Sequence, residues 1–509
     1  MRKTVHSLIS DHDRTGLAIG APDRAWMTYG CLRDLSSEVA TSLNGMGIAK
    51  ADRVAIVLPN GPEMAAAFVA VAQVATTAPL NPAYREEEYE FYLGDLGAKA
   101  IIVTEEYSGA ALVVAQKLGM IIIRLRVPVG APAGYFNLSS ESAGIAEKKE
   151  IQHDDVALIL HTSGTTSRPK IVPLLQANVA ASADHVRMSL NLAATDRCLN
   201  VMPLFHIHGL IAAVLASLAA GASVWCAPGF DALRFFGWMK SAQPTWYTAV
   251  PTMHQAILAR AGRNEDVIRQ TSLRFLRSSS ASLPAQVMLA LNETFNAPVI
   301  EGYGMTEAAH QMASNPLDPG AQKPGAVGVE AGPMVRIAHE VENHLIDGTG
   351  EVVISGPNVT PGYEGNPEAN EKSFFQAEGH RWFRTGDQGA FDEDGYLVLT
   401  GRLKEIINRG GEKISPLEVD GVLLDHPAIA QVVTFALPHP KLGEDVAAAV
   451  VLHEGQTASE QDIRNFAAKR IADFKVPRKV IVMEEIPKGA TGKMQRIGLA
   501  EKLGLVAQA

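Results

Sequence analysis

Hydroxyls, a glycine and a lysine crowd into His161-Thr-Ser-Gly-Thr-Thr-Ser-Arg-Pro-Lys170, directly after the apolar run Val156 to Leu160. Backbone N–H groups, side-chain hydroxyls and an ammonium gathered in a strand-to-helix loop are what a polyphosphate needs. The segment is not a Walker A loop, because Pro169 precedes Lys170 and Ile171 follows it. A solvated Ser/Thr turn is the commoner meaning of such composition, so the reading depends on what accompanies it. A second cluster is Glu301-Gly-Tyr-Gly-Met-Thr-Glu307, after Pro298-Val-Ile300. Gly302 and Gly304 let backbone approach a ligand, Tyr303 offers a stacking face, and Thr306 with Glu307 suits a phosphate oxygen and a Mg²⁺ ion. Arg384-Thr-Gly-Asp387 is the third, and its carboxylate can take both hydroxyls of a ribose, although a turn aspartate is as common. Near the C-terminus, Pro487-Lys-Gly-Ala-Thr-Gly-Lys493 forms a glycine-flanked loop able to carry one charge into a site and withdraw it, where a solvated surface lysine is the usual alternative.

The elements that must position these groups alternate in type. Val54 to Leu58, Ala100 to Thr104, Val156 to Leu160 and Trp246 to Val250 predict strands, and Ala/Leu-rich segments such as Met64 to Val74 and Asn178 to Leu190 predict helices. The expected class is α/β: a large N-terminal body of parallel sheets, a β-rich subdomain from about Gly332 with a hairpin at Asp394-Gly395, and a small mobile α+β C-terminal domain. The texture shifts at Gly401-Arg402, which divides the chain into 1–401 and 402–509. The tail carries 15 Lys and Arg against 14 Asp and Glu, so the body holds all of the net charge of -10 and slightly more. In the tail, Ser459-x-x-Asp462 predicts a capped helix through Ile463 to Asp473, ended by Pro477.

With 509 residues and a hydrophobic fraction of 47%, the chain predicts several well-packed domains. Its acidity argues against nucleic acid as a partner. Cys31, Cys198 and Cys226 fit no metal spacing and are too few for a disulfide framework, which points to a reducing cytoplasm. Met1 to Asp13 lacks the apolar run of a signal peptide. Gly209 to Ala227 is uncharged, but Ala, Ser and Gly dominate it, which predicts a buried helix and a strand at Ala222 to Cys226 rather than a membrane span.

All four clusters occur in this order on one chain together with Pro203-Leu-Phe-His206 and Gly401-Arg402. In that combination the sequence resembles the acyl-adenylate-forming superfamily of acyl-CoA synthetases, luciferases and peptide-synthetase adenylation domains, over nearly its whole length. The resemblance implies two steps: a carboxylate attacks the α-phosphorus of MgATP with release of diphosphate, and a thiol then attacks the acyl-adenylate. By the same resemblance Thr162, Ser163, Gly164, Thr165, Thr166 and Lys170 handle the β- and γ-phosphates, Thr306 the α-phosphate, and Glu307 the Mg²⁺. Asp387 and Arg402 hold the ribose, Ala281 and Tyr303 line the adenine site beside Glu301 and Gly302, and Lys493 is the catalytic lysine of adenylation. Lys404 matches the hinge, and Gly410, Gly411 and Lys413 the CoA side. Ser167-Arg168 and Ile171 depart from the glycine-richer pattern of most relatives.

The acyl pocket is expected from Leu276-Arg-Ser-Ser-Ser-Ala-Ser282, where many relatives carry Ser-Gly-Gly-Ala, and from His206, His208 and His310. Donors in that density repel a fatty chain and suit a small anionic acid. His161 to Lys170, Met305 to Pro316 and Asn408 to Ser415 look particularly like oxalate–CoA ligases, which implies His206, Ser280 and His310 as oxalate contacts, with ATP and CoA as co-substrates. Malonate or an aromatic acid are the alternative substrates. An adenylation domain loading a carrier protein and a non-catalytic nucleotide sensor are the alternatives of other classes. His206 and His208 alternate as on a strand and, with His310, would suggest a metal site, but no further ligand is evident.

Overall fold

The computed structural model describes residues 3–162, 169–318, 321–488 and 494–505. Among them, seven strands form a sheet in the order Asn137–Ser139, Ile121–Arg126, Ala100–Thr104, Arg53–Val57, Thr76–Pro79, Val156–His161 and Ile171–Leu175. Nine more form a second, running Val329–Glu330, His310–Ser314, Val299–Met305, Phe275–Ser279, Trp246–Ala249, Arg197–Asn200, Ser223–Cys226, Leu17–Gly20 and Met27–Thr28. The inner strands of both are parallel and their edges antiparallel. Helices Pro62–Val71 and Gln176–Ser189 touch strands of both sheets and so lie between them. Every residue of Pro62–Val71 except Glu63 is buried, which is why that helix is apolar all round instead of amphipathic. The molecule is thus the mixed α/β protein expected, and Thr162 and Ser280 directly follow the carboxyl ends of strands Val156–His161 and Phe275–Ser279.

The uncharged stretch is a core element. A π-helix, His208–Leu215, continues as Ala216–Ala219, all buried, and strand Ser223–Cys226 follows. No described helix is long and apolar enough to cross a membrane. Two expectations need correction here. His206 and His208 do not alternate on a strand, since His206 sits in a bend and His208 opens the π-helix. The phosphate loop does not lead into a helix either; it joins Val156–His161 to the antiparallel strand Ile171–Leu175, and helix Gln176–Ser189 comes only after that.

A third, antiparallel sheet contains Met334–Ala338, Gly350–Ser355, His380–Phe391 and Phe374–Ala377, with Leu397–Arg402 paired to His380–Phe391 through the expected hairpin. The next strand, Ile407–Arg409, belongs to a fourth sheet with Glu412–Ile414, Gly443–Leu452, Ile429–His439 and Lys479–Val482. In this small unit Ser459 and Asp462 form a reciprocal capping box. The helix it starts is Glu460–Ala468, shorter than expected. The amides of Arg470 and Ile471 both turn back to the Ala467 carbonyl, and Ile471, Phe474 and Val476 then pack on the local core. Tertiary packing therefore overrides the helical periodicity there.

Candidate active site

At one end of the site, antiparallel register sets Asp387 directly opposite Arg402, and Arg402 Nε lies 3.2 Å from Asp387 Oδ1. The Tyr303 hydroxyl donates to Asp387 Oδ2. Burial, reinforced by the Asp387 charge, raises the Tyr303 phenol well above its ordinary range, so it stays a donor. The carboxylate is further fixed through its chain: the Asp387 amide donates to Thr385 Oγ1, and that of Gly386, at φ +74°, donates to Glu351 Oε1 at 2.9 Å. A nearly buried carboxylate flanked by a tyrosine and a half-exposed guanidinium is suited to accept paired hydroxyls.

Farther along, the described ends of the phosphate loop are clasped together. Thr162 donates its amide to the Lys170 carbonyl at 3.0 Å, and the Lys170 amide donates to Thr162 Oγ1 at 3.1 Å. Ser163, Gly164, Thr165 and Thr166 lie outside the described residues. Lys170 Nζ sits 4.2 Å from the centroid of the Tyr363 ring, and the Tyr363 hydroxyl donates to Glu307 Oε1 at 2.7 Å. Burial lowers the Lys170 ammonium from its ordinary value, the Glu307 carboxylate raises it, and Lys404 lowers it again. Lys170, Glu307 and Lys404 thus share one electrostatic neighbourhood, with partly exposed Thr306 beside Glu307. The chain turns sharply after them: Ala309 and His310 hold φ +47° and +111°. A Cβ on Gly304 would fall 1.7 Å from the His310 carbonyl oxygen, so only glycine fits there.

The other end is a buried polar cluster. Ser280, at φ +77°, follows strand Phe275–Ser279 and meets His208 Nδ1 at 3.0 Å, while His208 Nε2 meets Thr248 Oγ1 at 2.6 Å. The His208 and His310 rings stack at 5.2 Å and 19°. Arg277, wholly buried, reaches His310 Nε2 at 3.0 Å and Gln311 Oε1 at 3.3 Å. His206 lies close by in sequence, its Nδ1 accepting the His208 amide at 3.4 Å. Glu301 takes a different part from the one its motif suggests: its carboxyl group is buried and accepts the Leu283 amide at 2.9 Å, clamping the loop that carries Ser280 and exposed Ala281. Burial pushes that carboxyl up to about 8. A cavity of about 560 Å³ between helix Gln176–Ser189 and strand His310–Ser314 is lined by none of the expected contacts.

Residues 10–364 match the family described as AMP-binding enzyme, and residues 418–493 match the AMP-binding enzyme C-terminal domain. The chain belongs to the AMP-binding enzyme family. It is 45% identical to an oxalate–CoA ligase of Arabidopsis thaliana over 95% of this chain and 94% of the relative. An oxalate–CoA ligase of Saccharomyces cerevisiae is 42% identical over 88% and 86%. The crystal structure of ATP-bound MatB from Rhodopseudomonas palustris superposes with a TM-score of 0.88 at 27% identity, covering 99% of each chain.

In this AMP-binding enzyme the smaller C-terminal unit is docked on the body by specific contacts. Lys413 Nζ pairs with Glu340 at 2.6 Å, and Gln388 of the third sheet binds the same glutamate. Gly410 and Gly411, at φ +61° and +99°, make the turn that presents it. Lys404 is exposed in the turn that follows Arg402, whose next residue, Leu403, donates its amide to Gly386. Arg496 joins Asp420 at 2.6 Å and Glu405 at 3.5 Å, tethering the C-terminal segment to that turn. Lys493 lies outside the described residues. Tyr363 is the functional candidate that sequence reasoning missed; Gly362-Tyr363 looks like an ordinary loop, and only the folded chain sets it between Lys170 and Glu307. No group of three or more His, Cys, Asp or Glu suited to a metal occurs among the described residues.

Proposed function

We propose that this enzyme catalyses oxalate + ATP + CoA → oxalyl-CoA + AMP + diphosphate. An oxalate oxygen attacks the α-phosphorus, the α–β phosphoanhydride bond breaks and diphosphate leaves. The CoA thiolate then attacks the acyl carbon and AMP leaves with the bonding pair. Asp387 and Arg402 hold the ribose hydroxyls; Tyr303, Ala281 and the backbone at Glu301 and Gly302 line the adenine. Thr162 and Lys170, with Ser163, Gly164, Thr165 and Thr166, bind the β- and γ-phosphates, Thr306 the α-phosphate, and Lys493 neutralises charge developing there. A lone buried Glu307 suits a Mg²⁺ that takes its other oxygens from the nucleotide, and the ion would neutralise phosphate charge. Lys404 is the proposed pivot, and Gly410, Gly411 and Lys413 would meet CoA after rotation of the smaller unit.

The observation that carries the choice of acid is the buried donor cluster. Ser280 accepts a left-handed backbone that suits glycine, and its hydroxyl lies against His208. His206, Ser280 and His310 would then bind the second carboxylate, which oxalate carries directly on the reacting one. Relatives named oxalate–CoA ligase along nearly the full length support the same choice. Incubation of the enzyme with oxalate, MgATP and CoA, read by mass spectrometry, should yield oxalyl-CoA and AMP in equal amounts. Formation of ADP, or of no thioester, would overturn the proposal.

A further inference from the structure

Arg277 is the largest polar side chain buried without a counter-ion in this site. It is fully inaccessible, no carboxylate among the described residues lies within ion-pair distance, and its buried Nε has no partner there. Burial lowers the guanidinium to about 10, which leaves it cationic at neutral pH. Such a charge is costly to bury and is retained where something uses it. Its placement is set by register, with Thr248 opposite on one neighbouring strand and Ile300 on the other. It also depends on Gly302, where a Cβ would stand 2.6 Å from Nη2.

The fork reaches two imidazoles. Nη2 lies 3.0 Å from His310 Nε2, and Nη1 lies 3.4 Å from His208 Nε2. Guanidinium nitrogens only donate, so both Nε2 atoms must accept, and a nitrogen that accepts carries no proton. We infer that Arg277 is the positioning residue of the acyl pocket, locking His208 and His310 as neutral Nδ1–H tautomers and supplying the positive charge that a dianionic acid requires. His208 Nδ1–H then donates to Ser280 Oγ at 3.0 Å, which turns the Ser280 proton away from His208 toward another acceptor. Thr248 Oγ1, at 2.6 Å, shares with Arg277 Nη1 the single lone pair of His208 Nε2. The other groups facing the guanidinium are Gln311, whose Oε1 accepts at 3.3 Å, and the Cys198 thiol, which burial keeps protonated. The pocket would thus hold oriented donors and one fixed cation.

This rests on the acyl pocket proposed above. In Arg277→Gln the oxalate KM should rise about tenfold or more, the scale of a lost charge-assisted contact, while the ATP KM changes less than about twofold. Arg277→Lys keeps the charge but loses the fork, and should fall between Gln and wild type. An oxalate KM unchanged in Arg277→Gln would overturn the role. Should that variant not fold, ¹⁵N-histidine NMR of the wild-type enzyme, with His208→Asn and His310→Asn for assignment, reads the tautomers directly. Both rings should be protonated on Nδ1 and bare on Nε2; a proton on either Nε2 would overturn the inference. A wild-type preference for another acid would refute the oxalate reading while the tautomers remain to be read.

Discussion

The two ends of the site are built by different physical means. At the proposed nucleotide end, Asp387 lies within strand His380–Phe391, Arg402 ends the strand paired to it, Glu307 lies in a short 3-10 turn and Lys170 just precedes strand Ile171–Leu175, and the two carboxylates rest on partners that a ligand can replace or share: Tyr303 for Asp387, Tyr363 for Glu307. At the acyl end, Arg277, His208, Thr248 and His310 are fully or almost fully buried on strands and a π-helix and bonded to one another. The first end keeps partners that a ligand can share; the second is bonded within the fold. Preorganised donors discriminate strongly between acids because an analogue that leaves them unpaired loses their full desolvation cost.

The largest effect is expected at Lys493. Lys493→Ala should lower adenylate formation about 10²- to 10³-fold, as for other groups aimed at developing charge, yet leave conversion of supplied oxalyl-adenylate and CoA to thioester intact. Equal loss in both half-reactions, measured separately, would merge what the account divides. Next come two parallel truncations. Asp387→Ala should raise the ATP KM and His310→Ala the oxalate KM, each by roughly 10- to 150-fold, with the other substrate's KM nearly constant. Crossed effects in steady-state kinetics would show that the ends are coupled.

Ser280→Gly sharpens the contrast, because it should separate stability from function. Removing a side chain from φ +77° relieves strain on the order of 1–2 kcal/mol but forfeits the contact to buried His208 Nδ1 at a similar cost, so thermal unfolding should move little while the oxalate KM rises several-fold. A lower Tm together with an unaltered KM would make the serine merely structural. The last effect is on stability alone and concerns pH. Glu301, raised to about 8, holds its proton in the folded state over a range where the unfolded chain has lost it. The native state binds more protons there, so stability falls as pH rises from about 4.5 to 8. Glu301→Gln mimics the protonated carboxyl and should flatten that limb in denaturant titrations; a wild-type curve rising across the window would contradict the burial argument.

Much of the proposed nucleotide end was legible in the sequence as short contiguous motifs, and the fold brings Tyr303 of one against Asp387 of another. The alternating strands were legible for the same reason, since Ala100 to Thr104 and Val156 to Leu160 are buried on both faces and read as apolar runs. The acyl end was legible as a composition of serines and histidines but not as a network. Arg277, His208 and His310 come from three elements far apart in sequence, and a π-helix has no periodicity that distinguishes it from an ordinary buried helix. Tyr363 was invisible because a ring between Lys170 and Glu307 is a product of tertiary packing alone.

A preorganised pocket for a small dianion beside the proposed nucleotide site sets an order of kcat/KM for oxalate, malonate, acetate, benzoate and a medium-chain fatty acid, measured with MgATP and CoA saturating and diphosphate release as the signal. Oxalate should exceed every other acid by about tenfold or more, the difference made by one properly paired charged group. A kcat/KM for malonate, benzoate or the fatty acid above that for oxalate would contradict the pocket while leaving the adenylation chemistry in place.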